Sequence, residues 1–460
     1  MNSTRKTSSV AVIGGGFLGM TLALRLAEHG RDVTLCEAAP FLGGLASPWQ
    51  LGDITWDRHY HVTLFSDNYL RSLLRELGLE QEIRWAKTRT AFYADSQFHS
   101  MSNLVEFLRF PLLGAIDKIR LGATIFHASR IKDAKALEKI RVEDWLKKWS
   151  GPRVTDKLWL PLLRAKLGEN YRDTSAAFIW ATVARMYAAR RTGSKTELFG
   201  YVPGGYARII ERFAELLERK GVKCCLNSPV TAIAGTAEGD VQIAVGGKDV
   251  GVFDDAIVTA AAPLAARMCP QLTSGEKARL NGLRYQGIIC ASLLLKKSLS
   301  DFYITNITDP DTPYTAVIEM SAIVDKGQFG GRALVYLPKY TSSDSKDFDL
   351  SDDEVRELFL AGLERMHPEF RRDDVLCFKI SRVKFLLPIP TLNYSDNLPA
   401  TSTSIPGVHI VNSAHIVNGT LNVNETVQLA EVTAKRFSSQ TVVRKPSPQF
   451  LEHELAQAHS

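Results

Sequence analysis

An α/β fold built on a doubly wound parallel sheet is what this sequence predicts, and three observations predict it. The stretch from Val10 to Trp49, VAVIGGGFLGMTLALRLAEHGRDVTLCEAAPFLGGLASPW, reads as strand, glycine-rich turn, helix and second strand ending in an acid. Further on, ERFAELLERKGVKCCLNSPVTAIAG reads as helix, glycine stop, strand, turn, strand. The 460 residues, 45% hydrophobic and 23% charged, suffice for two or three domains with a sizeable core.

Val10–Ile13 is the first strand, and Gly14, Gly16 and Gly19 complete G-x-G-x-x-G behind it. The first glycine permits the tight turn, the second lets backbone approach a pyrophosphate, and the third lets the helix pack on the strand. A helix from about Phe17 to His29 aims its N-terminal amides and dipole at the phosphates, and Gly30 stops it. DVTLCE is the second strand. Glu37 ends it at the spacing of a carboxylate that accepts ribose hydroxyls, and an acid there disfavours a 2′-phosphate. Strand, turn, helix, strand and acid in register predict a bound nucleotide. Gly43 and Gly44 follow in EAAPFLGGLAS.

Residues 86–195 are helix-rich and locally basic, since KALEKIRVEDWLKKW and DKLWLPLLRAKLGENY both carry helical periodicity. Residues 266–395 read as strands, in GIICASLLLKK, YTAVIEMS and ALVYLPKY, and predict a mixed or antiparallel sheet. NVNETVQLAEVTAKRF is a helix, with Asn422 and Glu425 at capping-box spacing. Residues 441–460 form a polar peripheral tail. The most membrane-like segment, FPLLGAIDKIRLGATIFHA, carries Asp117, Lys118 and Arg120 at its centre. Each would cost about 2.5–3.5 kcal/mol inside a bilayer, so an interfacial or core helix is expected and not a span.

A net charge of +6, from 56 basic and 50 acidic residues, does not argue for nucleic acid. The six cysteines form no C-x-x-C, so neither a disulfide framework nor a zinc site is expected, and no metal. That usage fits a reducing compartment. The start, MNSTRKTSSVAVIGGG, lacks the apolar stretch of a signal peptide, and a cytoplasmic location follows as the expectation.

The run from Glu37 to Gly44 resembles the E-x5-G-G extension of glutathione-reductase-like FAD proteins, and the cofactor this implies is FAD. DDAIVTAAAP (Asp254–Pro263) resembles the strand that returns to the dinucleotide domain in such proteins, and GVHIVNSAHI (Gly407–Ile416) resembles their last strand. With ELFGYVPGGYARIIERFAELL (Glu197–Leu217) added, nearly the whole chain resembles the flavin-dependent amine oxidase and protoporphyrinogen-oxidase-like superfamily, with UDP-galactopyranose mutase as a cousin. The resemblance implies a discontinuous FAD-binding Rossmann-like domain from residues 1–85, 196–265 and 396–440. It also implies a helical insert at 86–195 and an α+β substrate domain at 266–395.

The cofactor-binding residues so implied are Gly14, Gly16, Phe17, Leu18, Gly19, Glu37, Ala38, Gly43, Gly44, Leu45 and Ala46, then Val230 near the adenine, Ala260, Asn412, Ser413, Asn422 and Asn424. Either asparagine at 422 or 424 would bond the flavin ring, or simply cap its helix. Two departures from the family pattern stand out. The strand YQGIICASLLLKK offers Cys290 or Ala291 where amine oxidases carry a lysine, and the usual C-terminal GD reads Asn412-Ser413. The C-terminal FAD segment has no cysteine, so the FAD is expected to be non-covalent.

WDRHYHVTLFSDNYL holds the densest cluster of titratable groups, Asp57, Arg58, His59, Tyr60 and His61, and in the family this segment passes near the flavin. His59, Tyr60 and His61 are therefore the candidate catalytic residues, with the two histidines on one face if the segment is a strand. Tyr303, Asn306, Tyr314, Glu319, Tyr336 and Lys339 are candidates for the wall of a substrate pocket, against ordinary packing. The expected function is FAD-dependent oxidation of a C–N or C–C bond of a small or lipid-like substrate by hydride transfer. The alternatives are a non-redox flavin mutase or isomerase on a nucleotide- or lipid-linked sugar, and an FAD-binding scaffold. Residues 103–148 are expected at the substrate entrance, in peripheral contact with a membrane, through LVEFLRFPLLGAI and a basic run of Arg130, Lys132, Lys135, Lys139, Arg141, Lys147 and Lys148. An amphipathic helix packed on its own core is the alternative there.

Overall fold

The computed structural model of the chain describes residues 8–188, 198–417 and 419–439. The strand Ser9–Ile13 sits at the centre of a five-stranded parallel sheet. Asp32–Cys36 and then Lys223–Cys225 flank it on one side, and Asp255–Val258 and then Val408–Ile410 on the other. The central strand is apolar on both faces because both are covered. Val10 and Val12 pack against the helix Phe17–Glu28 and the closing helix Val423–Ser439. Ala11 and Ile13 pack against Ile233, Val241 and Ile243 of a three-stranded antiparallel sheet and against the helix Ala262–Met268. The fold is thus the doubly wound α/β architecture, and GVKCC adds its strand to the parallel sheet as expected.

A second sheet has seven strands, in the order Val375–Pro388, Tyr285–Leu295, Ala333–Ser342, Ala316–Glu319, Ile304–Ile307, Thr90–Ala94, Gln97–Ser100. Its pairings are antiparallel except for the parallel one between Ile304–Ile307 and Thr90–Ala94. The strand Tyr285–Leu295 is buried at every residue, and its alternation divides two cores. Ile288, Cys290 and Leu294 face Trp56, Phe199 and Tyr336. Ile289, Ala291 and Leu293 face Phe359, Leu360 and Leu363 of the helix Asp352–Met366.

The span 86–195, expected to be helical, departs from that at its start. Thr90–Ala94 and Gln97–Ser100 form a hairpin of the seven-stranded sheet, turned at Asp95 and Ser96 with φ of 50° and 58°. Two left-handed residues between short strands are the signature of a type I′ turn. TAFYA is a five-residue run that periodicity cannot separate from a helix fragment. Helices begin at Leu104 and continue as Ala115–Arg130, Val142–Ser150, Leu160–Leu167 and Ala176–Ala188, around Trp145, Leu146, Leu163, Leu167 and Ile179. The peripheral tail expected at 441–460 lies outside the described residues.

Candidate functional site

The three glycines of the first turn have different neighbours. Gly14 has a φ of 110°, and a Cβ there would stand 2.4 Å from Thr259 Oγ1. A Cβ on Gly19 would stand 1.8 Å from the Gly14 carbonyl oxygen, so this glycine lets helix and strand close on each other. Gly16 is different, with an ordinary φ of −74° and only Gly44 Cα, at 3.9 Å, near the position of a Cβ. Nothing inside the protein requires glycine at 16. It caps a helix that no side chain caps, so the amides of the first turn, at Phe17 and Leu18, are presented to whatever approaches.

The second glycine pair lies directly on the first turn. Gly16 and Gly43 form a parallel bridge, Gly43 N donates to Gly15 O at 2.8 Å, and a Cβ on Gly44 would stand 3.0 Å from Gly16 Cα. Gly43, Gly44, Leu45 and Ala46 thus make one wall of a backbone cradle and Gly14–Gly16 the other. Glu37 stands at its edge, its Oε2 accepting from Gly15 N at 2.5 Å and its Oε1 from Ala39 N at 2.8 Å, with Ala38 exposed between them. Each carboxylate oxygen keeps a second lone pair for a sugar hydroxyl. Thr259 N donates to Ile13 O at 2.9 Å, which brings Ala260 to the ends of the parallel strands. Val230 opens its antiparallel strand half-buried, and it and Ala260 pack against the same apolar cluster, which includes Ile233 and Val258.

Two of the asparagines implied for the ring are engaged elsewhere. Asn422 accepts from Glu425 N at 3.1 Å and donates to Thr420 O at 2.7 Å, a helix cap in agreement with the second of the two readings. Asn424 accepts from Tyr69 N and Leu70 N at 2.9 and 3.1 Å, tying the closing helix to the helix Asn68–Glu76. Asn412 is 1% exposed, accepts from Ala414 N at 3.1 Å, and leaves its Nδ2 without a partner among the described residues. Ser413 beside it lines a small cleft with Phe178, Leu387, Tyr394 and Leu421.

Residues 58–62 form an irregular connection between the strands Ile54–Asp57 and Thr63–Leu64, so the strand alternation expected for the histidines does not hold. His59 is 8% exposed, its Nδ1 stands 3.0 Å from Leu45 O in the second glycine loop, and its Nε2 has no partner among the described residues. His61 Nδ1 stands 2.9 Å from His59 O, and its ring packs on Tyr206 at 4.8 Å. Burial pulls His59 down to about 4 and His61 to about 3. Both imidazoles are neutral near pH 7 and serve there as hydrogen-bonding groups. The Asp57 carboxyl, pushed up to about 7 by burial, accepts from Tyr206 N at 2.7 Å. A Cβ on Gly205 would stand 2.8 Å from that carboxylate, which explains the glycine pair of GYVPGG.

Tyr60 points away from both histidines. Its Oη is 2.8 Å from Tyr340 Oη, to which Lys166 Nζ donates at 2.6 Å. Sequence reasoning missed Lys166 and Tyr340. The legible signal was a lysine three residues after Leu163, on the stripe that buries Leu160, Leu163 and Leu167. Of the six residues expected at a pocket wall, Tyr336 comes beside this cluster, donating to Asp57 O at 2.6 Å. Tyr314 packs on the far face against Met366, Lys339 pairs with Asp347 at 3.2 Å, and Glu319 accepts from Leu299 N at 3.0 Å. Tyr303 packs edge-on against Phe199, and Asn306 is half-buried in the strand Ile304–Ile307.

The insert presents an inverted helix. Ala115–Arg130 turns Asp117, Leu121, Thr124 and Ala128 inward and leaves Ile116 69% and Ile119 73% exposed, with Phe126 also exposed. Val105 and Leu108 of the helix Leu104–Arg109 are exposed as well, as are Arg109, Arg120 and Arg130. Of the basic run, Lys135 and Lys147 are neutralised by Asp396 and Glu143 at 2.8 and 2.6 Å. No helix among the described residues is long and apolar enough to cross a membrane.

A family model described as flavin-containing amine oxidoreductase matches residues 19–428. The 15-cis-phytoene desaturase of Solanum lycopersicum is 25% identical over 274 residues, 56% of this chain and 46% of its own length. The chain spans about half the length of the curated relatives it matches. Among solved structures, a candidate protoporphyrinogen oxidase of Exiguobacterium sp. 255-15 superposes with a TM-score of 0.73 at 18% identity, over 94% of this chain and 99% of that one. Reduced UDP-galactopyranose mutase superposes with a TM-score of 0.71 at 16% identity, over 95% and 96%.

Proposed function

The chain belongs to the flavin-containing amine oxidoreductase family, and from that membership we propose that it is an FAD-dependent oxidoreductase that oxidises a C–C or C–N bond of a lipid-like organic substrate by hydride transfer from carbon. The observation that carries the reading is the cradle, in which Gly16 is glycine for no internal reason and Gly44 closes on it. A diphosphate fits there, with Glu37 placed for the ribose and Val230 and Ala260 at the adenine end. The orphaned Asn412 Nδ2 and His59 Nε2 are buried donors or acceptors that a bound flavin would satisfy. FAD supplies the hydride-accepting chemistry when bound.

The protein's own residues orient and enclose. His59, neutral and fastened to Leu45 O, holds the second glycine loop against the connection that carries Tyr60. The inner face of the seven-stranded sheet, with Ile288, Cys290, Tyr336 and Leu334, forms a sealed apolar wall behind the connection that carries Tyr60 and excludes water there. The preference for a lipid-like substrate rests on the exposed ridge of Val105, Leu108, Ile116, Ile119 and Phe126, and on relatives named as desaturases of phytoene. We further propose that the ridge docks on a membrane surface, with Arg109, Arg120 and Arg130 meeting anionic headgroups. Residues 1–85, 196–265 and 396–440 are taken as one FAD-binding unit.

Anaerobic titration of FAD-loaded protein with polyenes and with amines tests the reading. Bleaching of the flavin by a member of either class supports it. Turnover that appears only after prior reduction, with no net redox change, replaces it with the mutase reading. Acid precipitation should release the yellow chromophore, and colour in the pellet would refute non-covalent binding.

A further inference from the structure

One polar chain runs along the apolar wall, on which its two tyrosines pack. Lys166, in the helix Leu160–Leu167, donates from Nζ to Tyr340 Oη at 2.6 Å and lies 3.9 Å from the centroid of that ring. Tyr340 Oη is 2.8 Å from Tyr60 Oη. Three separate stretches converge here: the connection after Ile54–Asp57, the helical insert, and the strand Ala333–Ser342. The groups that face the chain are Cys290 of the neighbouring strand and Tyr336, whose ring lies 6.1 Å from that of Tyr60. Among the described residues Lys166 takes part in no ion pair, and its polar neighbour is the Tyr340 phenol, with Tyr60 beyond it.

A half-buried ammonium without a counter-charge loses part of its hydration, which favours the neutral amine. Burial accordingly pulls Lys166 below the ordinary lysine value of 10.5 and pushes Tyr340 up to about 12. Once the amine is neutral, the Tyr340 hydroxyl can donate back to Nζ across the same 2.6 Å, and the chain becomes a base at one end of a proton path.

We propose that Lys166, Tyr340 and Tyr60 form a relay that receives the proton released when substrate is oxidised, with Tyr60 the catalytic residue touching substrate and Lys166 a positioning residue acting through Tyr340. The assignment rests on the oxidoreductase reading above. Converting C–C to C=C, or C–N to C=N, removes two electrons and two hydrogens. One hydrogen leaves with both electrons as hydride to the oxidant, FAD. The other leaves as a proton from the adjacent carbon or nitrogen, and its bonding pair closes the double bond. That proton goes to Tyr60 Oη while the Tyr60 proton moves to Tyr340 Oη and the Tyr340 proton to Lys166 Nζ. Both phenols end neutral, and the positive charge rests on the lysine.

The test reads the amine and the reaction separately. In FAD-loaded protein labelled with ¹³C at lysine Cε, one resonance titrates below all other lysines, is absent from Lys166→Met, and moves its midpoint in Tyr340→Phe. In the bleaching assay the rate rises with pH through that same midpoint, and Lys166→Met loses the limb. Lys166→Arg, which keeps a cation but no titrating base, behaves like Lys166→Met. Tyr340→Phe and Tyr60→Phe each slow bleaching by about 10²-fold, with FAD content unchanged. If Lys166→Met does not fold, Tyr340→Phe, which removes a single oxygen, carries the comparison. Lysines that all titrate near 10.5, or a bleaching profile untouched by Lys166→Met, overturn the relay while leaving the FAD site standing. A low-titrating Lys166 in protein whose flavin no substrate bleaches overturns instead the oxidoreductase reading, and the relay's task with it.

Discussion

Gly16 and Gly19 stand three residues apart and answer to different neighbours. Gly16→Val should leave the fold intact and remove FAD retention, because its side chain would enter space that only the diphosphate uses. Gly19→Ala should instead destabilise the apoprotein, by about 1–3 kcal/mol, since its Cβ would meet the Gly14 carbonyl oxygen at 1.8 Å. Far-UV circular dichroism with urea melts and flavin absorbance separates the two, and an unfolded Gly16→Val would show that the turn is packed and not open. The histidines give a second prediction. His59 and His61 fall from 6.5 to about 4 and about 3 on folding, so their contribution is present above pH 6.5 and lost as pH falls toward 4. For His59 this is roughly 3 kcal/mol. Asp57 runs the other way, from 3.8 up to about 7, so its contribution is present below its unfolded value and lost as pH rises through 7. Asp57→Asn should steepen the acid-side loss, and His59→Asn with His61→Asn should reduce it to the share of His367, which burial also pulls to about 4, as read from urea midpoints between pH 4 and 7. The cradle glycines and Glu37 were legible because their spacing is local backbone geometry. Lys166 and Tyr340 were not, because folding brings them together from 174 positions apart. The tie made by Asn424 was hidden for the same reason: its partners are the amides of a helix 354 positions away, and spacing does not reveal them.

At the scale of elements, strands buried on both faces and the helices between them declared themselves by composition and glycine stops. The hairpin Thr90–Ser100 did not, since its strands are too short to show a period and its sheet partner begins only at Ile304. The helix Ala115–Arg130 was read correctly as no span, but its orientation came only from its packing. Asp117 turns inward because it accepts from Gly114 N at 3.1 Å and pairs with Arg153 at 3.3 Å, and this leaves Ile116 and Ile119 outside. Each such side chain would gain about 1.5–3 kcal/mol on entering an apolar phase. Ile116→Asp, Ile119→Asp and Phe126→Asp together should abolish co-sedimentation with anionic vesicles at low salt, with no loss of thermal stability because all three are exposed. Wild-type protein that stays in the supernatant would end the membrane proposal.

For the whole molecule, cofactor and fold are linked, because the cradle draws on segments far apart in the chain. FAD at a hundred times its dissociation constant should add about 2.7 kcal/mol to the stability of the wild type and nothing to Gly16→Val. Calorimetry with and without FAD measures it, and equal shifts in both proteins would place the cofactor elsewhere. The order of strands in the parallel sheet has one more consequence, for synthesis on the ribosome. The first two strands leave the exit tunnel early, but the strand Val408–Ile410, which completes the sheet, is about 370 residues behind Cys36. At about 5–20 residues per second the nascent chain waits on the order of 20–75 s with that sheet open. Throughout that interval the unpaired edges and apolar faces of Ser9–Ile13 and Asp32–Cys36 are available to chaperones, and to neighbouring nascent chains on the same message.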